Sequence, residues 1–81
     1  MNEQRRRELR SVMQDLGVLS EQLNHEAGAE DEAYDNMPES LQYTEKAQTL
    51  RDNAETLYDL EKVIDGVVEE IEKLISNEPE D

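Results

Sequence analysis

The sequence contains no cysteine, no tryptophan and no phenylalanine. Without cysteine there are no disulfides and no thiolate metal sites, a composition at home in a reducing cytoplasm. Without the two largest apolar aromatics, any core must come from Leu, Val, Ile, Met and Ala, since Tyr34, Tyr43 and Tyr58 are the whole aromatic content. Apolar residues make up 35% of 81 residues, which allows one small domain with a marginal core. The three glycines are scattered, so no glycine-rich phosphate loop is present. No apolar run reaches half the length of a bilayer span. The early arginines are not followed by the apolar segment of a signal peptide. No membrane association is expected, and the expected location is the cytoplasm.

Basic residues are scarce too: 8 against 22 acids, for a net charge of −14. Such a surface repels nucleic acid and anionic membranes and favours basic partners, cations or plain solubility. The imbalance is uneven. Residues 1–27 hold five acids and four bases, residues 28–43 five acids and no base, and residues 44–81 twelve acids and four bases. The early bases form one cluster, Arg5, Arg6, Arg7 and Arg10.

Catalytic material is equally thin. His25 is the only histidine, near the end of the first helical segment, where a surface role is expected. Glu30, Asp31, Glu32 and Asp35 crowd together, but an EF-hand needs oxygen ligands at alternate positions and then a glycine. Ala33 interrupts that alternation and no glycine follows. The expectation is a protein that is not an enzyme, with no catalytic residue, no cofactor and no metal.

What is present is helical periodicity. Leu9, Val12, Leu16, Leu19 and Leu23 step by three and four, the seam of one helix face, and Met13 widens it. Gly28 reads as a stop, which sets the first helix at about 3–26. Residues 28–43 read as an acidic, structured connector with a short helical turn. Met37 marks a break because it precedes Pro38, which suits the first position of that turn, and Asp35 and Asn36 can cap it. Tyr34, Met37, Leu41 and Tyr43 are apolar enough to pack. Thr44 and Glu45 then start a second long helix, set at 44–76. Its seam is Ala47, Leu50, Ala54, Leu57, Glu61, Ile64, Val68, Ile71 and Ile75, broken only by Glu61. Leu60, Val67 and Leu74 form a flanking stripe spaced by seven. Residues 77–81 read as a frayed acidic tail.

These elements define an all-α protein of a single domain, an antiparallel helical hairpin of two long helices joined by the connector. The antiparallel arrangement sets Arg5, Arg6, Arg7 and Arg10 beside Glu69, Glu70, Glu72, Glu78 and Glu80. The stripe from Leu57 to Ile75 is too wide for one neighbouring helix. A homodimer forming a four-helix bundle is therefore expected, with Leu9, Val12, Leu16, Leu19, Leu23, Leu50, Leu57, Leu60, Ile64, Val67, Val68, Ile71, Leu74 and Ile75 as its core. The alternative is that the stripe binds a different protein. The connector supplies a second candidate surface, Tyr34, Asp35, Asn36, Glu39, Leu41 and Gln42, because a purely solvated loop would not need apolar side chains among its carboxylates.

The stretch EDEAYDNMPESLQYTEKA, Glu30 to Ala47, resembles a motif of small acidic helical proteins encoded by bacteriophages, prophages and other mobile elements of bacteria. In those proteins a basic N-terminal helix precedes the acid-rich core and a heptad-like acidic helix follows. The likeness covers nearly the whole chain, and its specific part is Glu32 to Gln42. It implies a bacterial or phage origin, hence a bacterial cytoplasm, and little about activity. Three roles follow as expectations. The leading one is a non-enzymatic interaction protein that binds and modulates a host or phage protein. The second is a DNA mimic, whose carboxylate rows occupy the Lys/Arg-lined groove of a nucleic-acid-binding or defence protein. The third is a small structural or virion-associated protein.

Overall fold

A computed structural model of the protein describes residues 1–77. Among them are two long helices and no strand: α1, Glu3–Asp35, and α2, Glu45–Asn77, joined through a 3-10 turn at Glu39–Leu41. Each long helix has 33 residues, so each is about 50 Å long. They pack along their length into a rod of 64 × 15 × 12 Å.

Both helices begin on side-chain caps. Asn2 Oδ1 accepts from the Arg5 N–H at 2.8 Å. Thr44 Oγ1 accepts from the Ala47 N–H at 3.3 Å. Each satisfies a backbone donor that the first helical turn leaves open. Glu3 places a carboxylate in the first turn of α1, where the helix dipole favours it.

The expected end of the first helix at Gly28 is corrected by the structure. Gly28 lies inside α1, no glycine has positive φ, and the helix continues to Asp35. A C-terminal glycine stop depends on the left-handed conformation, and Gly28 does not adopt it. A mid-helix glycine costs roughly 1 kcal/mol relative to alanine, and the packing of later turns offsets that. Ala27 is fully buried, and Glu30, Asp31 and Tyr34 are half-buried against α2. The helix stops at Asn36, whose N–H still reaches the Glu32 carbonyl at 2.9 Å. Pro38 follows and pushes Met37 out of the helical region. Much of the acidic connector is thus the last turns of α1. Of the expected 77–81 tail, Asn77 closes α2 and residues 78–81 lie outside the described residues.

On α2 the observed seam is the expected one, each member buried or half-buried, from Ala47 and Leu50 to Ile71 and Ile75. On α1 the seam is shifted. Arg6, Leu9, Met13, Leu16, Ser20, Leu23, Ala27, Glu30 and Tyr34 step by three and four and are all buried or half-buried. Val12 and Leu19 are off the seam and exposed. The displacement comes from Ser20, a polar residue at a seam position, flanked by an aliphatic residue that is not.

Two polar contacts account for this. Ser20 Oγ donates to Asp65 Oδ1 at 2.8 Å, and Asn24 Nδ2 donates to Glu61 Oε2 at 3.0 Å. Glu61, which interrupts the α2 seam in sequence, therefore has a partner from α1. Nearer the turn, Asn53 Nδ2 donates to Glu30 Oε2 at 3.3 Å. The paired positions rise on one helix as they fall on the other, which makes the hairpin antiparallel.

The same register sets the height of the arginine cluster. It brings Arg10 level with Ile75, and Glu69 and Glu70 about a turn and a half nearer the closed end. Arg6 is buried and pairs with Glu3 at 3.7 Å, and Arg10 pairs with Glu3 at 3.4 Å. The brace expected from Glu78 and Glu80 lies outside the described residues.

The described core is thin. Its fully buried apolar residues are Ala27, Ala47 and Ala54, all in the half nearest the turn. Alanines let two helices approach closely. Towards the open end the seam carries Leu16, Val68, Ile71 and Ile75, each half-buried.

Candidate functional site

Three surfaces can meet a partner: the closed end and the two long edges of the hairpin.

At the closed end the six connector residues divide into two kinds. Tyr34 is half-buried in the last turn of α1, with the Arg51 guanidinium 5.2 Å from its ring centroid, a cation–π contact. Gln42 is half-buried, and its Nε2 donates to the Met37 carbonyl at 3.3 Å. Both hold the turn together. Asp35, Asn36, Glu39 and Leu41 are exposed. The Asp35–Asn36 cap expected for the turn does not form. Pro38 precedes the turn, no side chain caps it, and the Leu41 N–H donates to the Pro38 carbonyl at 2.8 Å. Tyr43 does not pack as expected either: it is 90% exposed. It sits just before the Thr44 cap, whose hydroxyl donates to the Leu41 carbonyl at 2.7 Å. That geometry fixes the backbone and leaves the Tyr43 ring in water. Tyr43 joins Leu41 as an apolar group displayed at the tip, and sequence alone gave no sign of its exposure.

One long edge is polar and bridged. On α1 it carries Gly17, Asn24 and Asp31, spaced by seven. On α2 it carries Arg51, Tyr58 and Asp65, also spaced by seven. Hydrogen bonds cross here: Ser20 to Asp65, Asn24 to Glu61, and Tyr58 Oη to Asp31 Oδ2 at 3.2 Å. The Tyr58 phenol is held above its ordinary pKa, first because it donates to the Asp31 carboxylate, then through partial desolvation and the nearby charges of Asp31 and Glu61. A polar hollow follows this edge, lined by Asp31, Arg51, Tyr58, Glu61 and Lys62 among others. Its lining carries five carboxylates, Asp31, Asp52, Glu55, Asp59 and Glu61, against the two bases Arg51 and Lys62, so it is acidic. Among the described residues no three carboxylate or histidine side chains are placed to hold a metal ion.

The other long edge is apolar and uncovered. Val12 and Leu19 stand on α1, and Leu60, Val67 and Leu74 on α2, again in rows spaced by seven. The register brings Val12 level with Leu74 and Leu19 level with Val67. Leu19 is 49% exposed and Val67 45%, and Val18 and Val63 lie beside them, more exposed still. Of the candidate core residues, then, Leu9, Leu16, Leu23, Leu50, Leu57, Ile64, Val68, Ile71 and Ile75 pack in the seam. Val12, Leu19, Leu60, Val67 and Leu74 face outward on this edge. Val18 and Val63 were missed in the sequence. The signal that could have found them is their place next to Leu19 and Val67 on the outer side of each row.

No protein-family model, no curated protein and no solved structure matches the chain. No helix among the described residues is long and apolar enough to cross a membrane.

Proposed function

We propose that the protein is a non-enzymatic interaction protein of phage or mobile-element origin that binds and modulates a host or phage protein. The observation carrying this reading is the uncovered apolar edge. A chain with few apolar residues leaves Val12, Leu19, Leu60, Val67 and Leu74 about half exposed along one side, while the seam they adjoin completely buries no apolar side chain larger than alanine. Aligned exposed apolar side chains of this kind mark a contact surface. Leu41 and Tyr43 at the tip supply a second, smaller one.

The test is reconstitution. A tagged chain is expressed in a bacterial host, a co-purifying protein is identified, and the complex is rebuilt from pure components. A stoichiometric complex that persists in high salt supports the reading. A chain recovered only inside assembled particles assigns it to the structural role instead.

The DNA-mimic reading draws on the acids that α2 carries along its 33 residues, among them Asp52, Glu55, Asp59, Asp65, Glu69 and Glu72. It requires that duplex DNA displace the partner and that binding fall steeply with salt. Competition with a short duplex at two salt concentrations separates the two.

A further inference from the structure

We infer that the apolar edge is a docking groove for a cationic amphipathic helix, one apolar stripe bordered by Lys and Arg, which would complete a three-helix bundle. This rests on the interaction-protein reading and names the surface and the chemistry of the partner.

Shape and charge both argue for it. Two antiparallel helices with a row of aliphatic side chains on the same edge form a furrow along the rod, the surface that an amphipathic helix fills with residues three and four apart. Val12 and Glu26 bound the exposed row on α1, and Leu60 and Leu74 bound it on α2. Both stretches are about 21 Å long, so the occupant has about four helical turns.

Charge selects among occupants. Two shallow grooves lie on this edge. One is lined by Val18, Leu19, Leu23 and Ile64, with Glu21, Glu26 and His25 at its lip. The other is lined by Val63, Val67, Ile71 and Leu74, with Glu70 at its lip. Glu21 and Glu26 border the first groove and Glu70 the second, where it pairs with Lys73 at 3.4 Å; neither groove is itself lined by Lys or Arg among the described residues. A helix whose apolar stripe is edged by Lys and Arg meets those carboxylates with opposite charge. A second copy of this chain would bring another −14 and the same carboxylate lips to the contact.

Two synthetic helical peptides of about 18 residues test it, the length that spans the groove with a margin. Both have a leucine seam. One is flanked by lysine and the other by glutamate. Titration calorimetry with the full chain should show one-to-one binding of the lysine peptide, at least about tenfold tighter than the glutamate peptide.

The decisive variant is Leu19→Glu with Val67→Glu. It adds acid to the edge, so unspecific attraction of a cationic peptide would strengthen, whereas binding in the groove should weaken by about tenfold or more. Leu19→Gln with Val67→Gln should weaken it as well, and circular dichroism checks that both variants stay helical. Asp65→Asn on the bridged edge should leave affinity within about twofold, since it lies on the other side of the rod.

Equal or tighter binding by the Glu variant overturns the inference. So does sedimentation equilibrium showing a dimer that the Gln variant dissolves, because the occupant is then a second copy. A reconstituted partner that ignores Leu19 and Val67 but is lost on Leu41→Asp or Tyr43→Ser defeats the groove and leaves the interaction reading standing.

Discussion

The two long edges of the hairpin are built at the same spacing and do opposite things. Rows seven residues apart flank the seam on both sides of both helices. On one edge they hold Asn24, Asp31, Tyr58 and Asp65, which bond within the molecule or to the seam. On the other they hold Val12, Leu19, Leu60, Val67 and Leu74, which remain exposed. Hydrogen bonds are directional and fix register. Apolar contact is not, and the exposed half of such a row adds no stability until something covers it. The contrast assigns alignment of the hairpin to the polar edge and leaves the apolar edge free for association.

Substitutions can break or sharpen that contrast. The largest effect is expected between the edges, at Ala27, which is fully buried where the helices approach closely. Ala27→Leu should cost about 1–3 kcal/mol in chemical denaturation, because overpacking there forces the helices apart. Next comes the polar edge. A double-mutant cycle on Ser20→Ala and Asp65→Ala should give a coupling of about 0.5–1.5 kcal/mol, and a value near zero would deny that edge its aligning role.

Gly28→Ala should stabilise by roughly 0.5–1 kcal/mol. An added Cβ meets nothing within 4 Å there, and the backbone is helical. A loss of stability instead would show that α1 does not run as regular helix through Gly28. Smaller again, Leu19→Lys with Val67→Lys on the apolar edge should move stability by no more than about 0.5 kcal/mol, since neither side chain holds the fold. A loss comparable to Ala27→Leu would show that edge to be structural.

The subtlest effect is alkaline. Tyr58 donates to Asp31, so its phenol should ionise above the ordinary tyrosine value in an ultraviolet titration. Its folded pKa is raised, so its contribution is fully present below the unfolded value of about 10 and is lost as pH rises through the folded value. Tyr58→Phe should remove that alkaline loss.

Periodicity made α2 legible because its seam is aliphatic except at Glu61. It was less faithful on α1, where the seam runs through Ser20 and Ala27 and the better hydrophobes, Val12 and Leu19, lie one position away. Hydrophobicity alone picks the exposed row over the buried one. Ser20 is placed inside by a hydrogen bond to a residue forty-five positions later, which no local pattern reveals. Gly28 misled for a related reason, since packing of Ala27 and Tyr34 overrides a local helix breaker. At the tip, Leu41 and Tyr43 look alike in sequence to Tyr34 and Met37, and only the backbone bonds around Thr44 and Gln42 separate displayed from packed.

The antiparallel layout has a consequence for reach. Asn2 and Asn77 lie at one end of a rod 64 Å long, and Tyr43 at the other. Both ends of the described chain lie at the same base, and the molecule stands out from it like a boom. A fluorophore at Asn2 would lie far from one at Tyr43 and close to one at Ser76. A tether at the base would carry the tip outward by most of that length while leaving both flanks of the rod open to the surroundings.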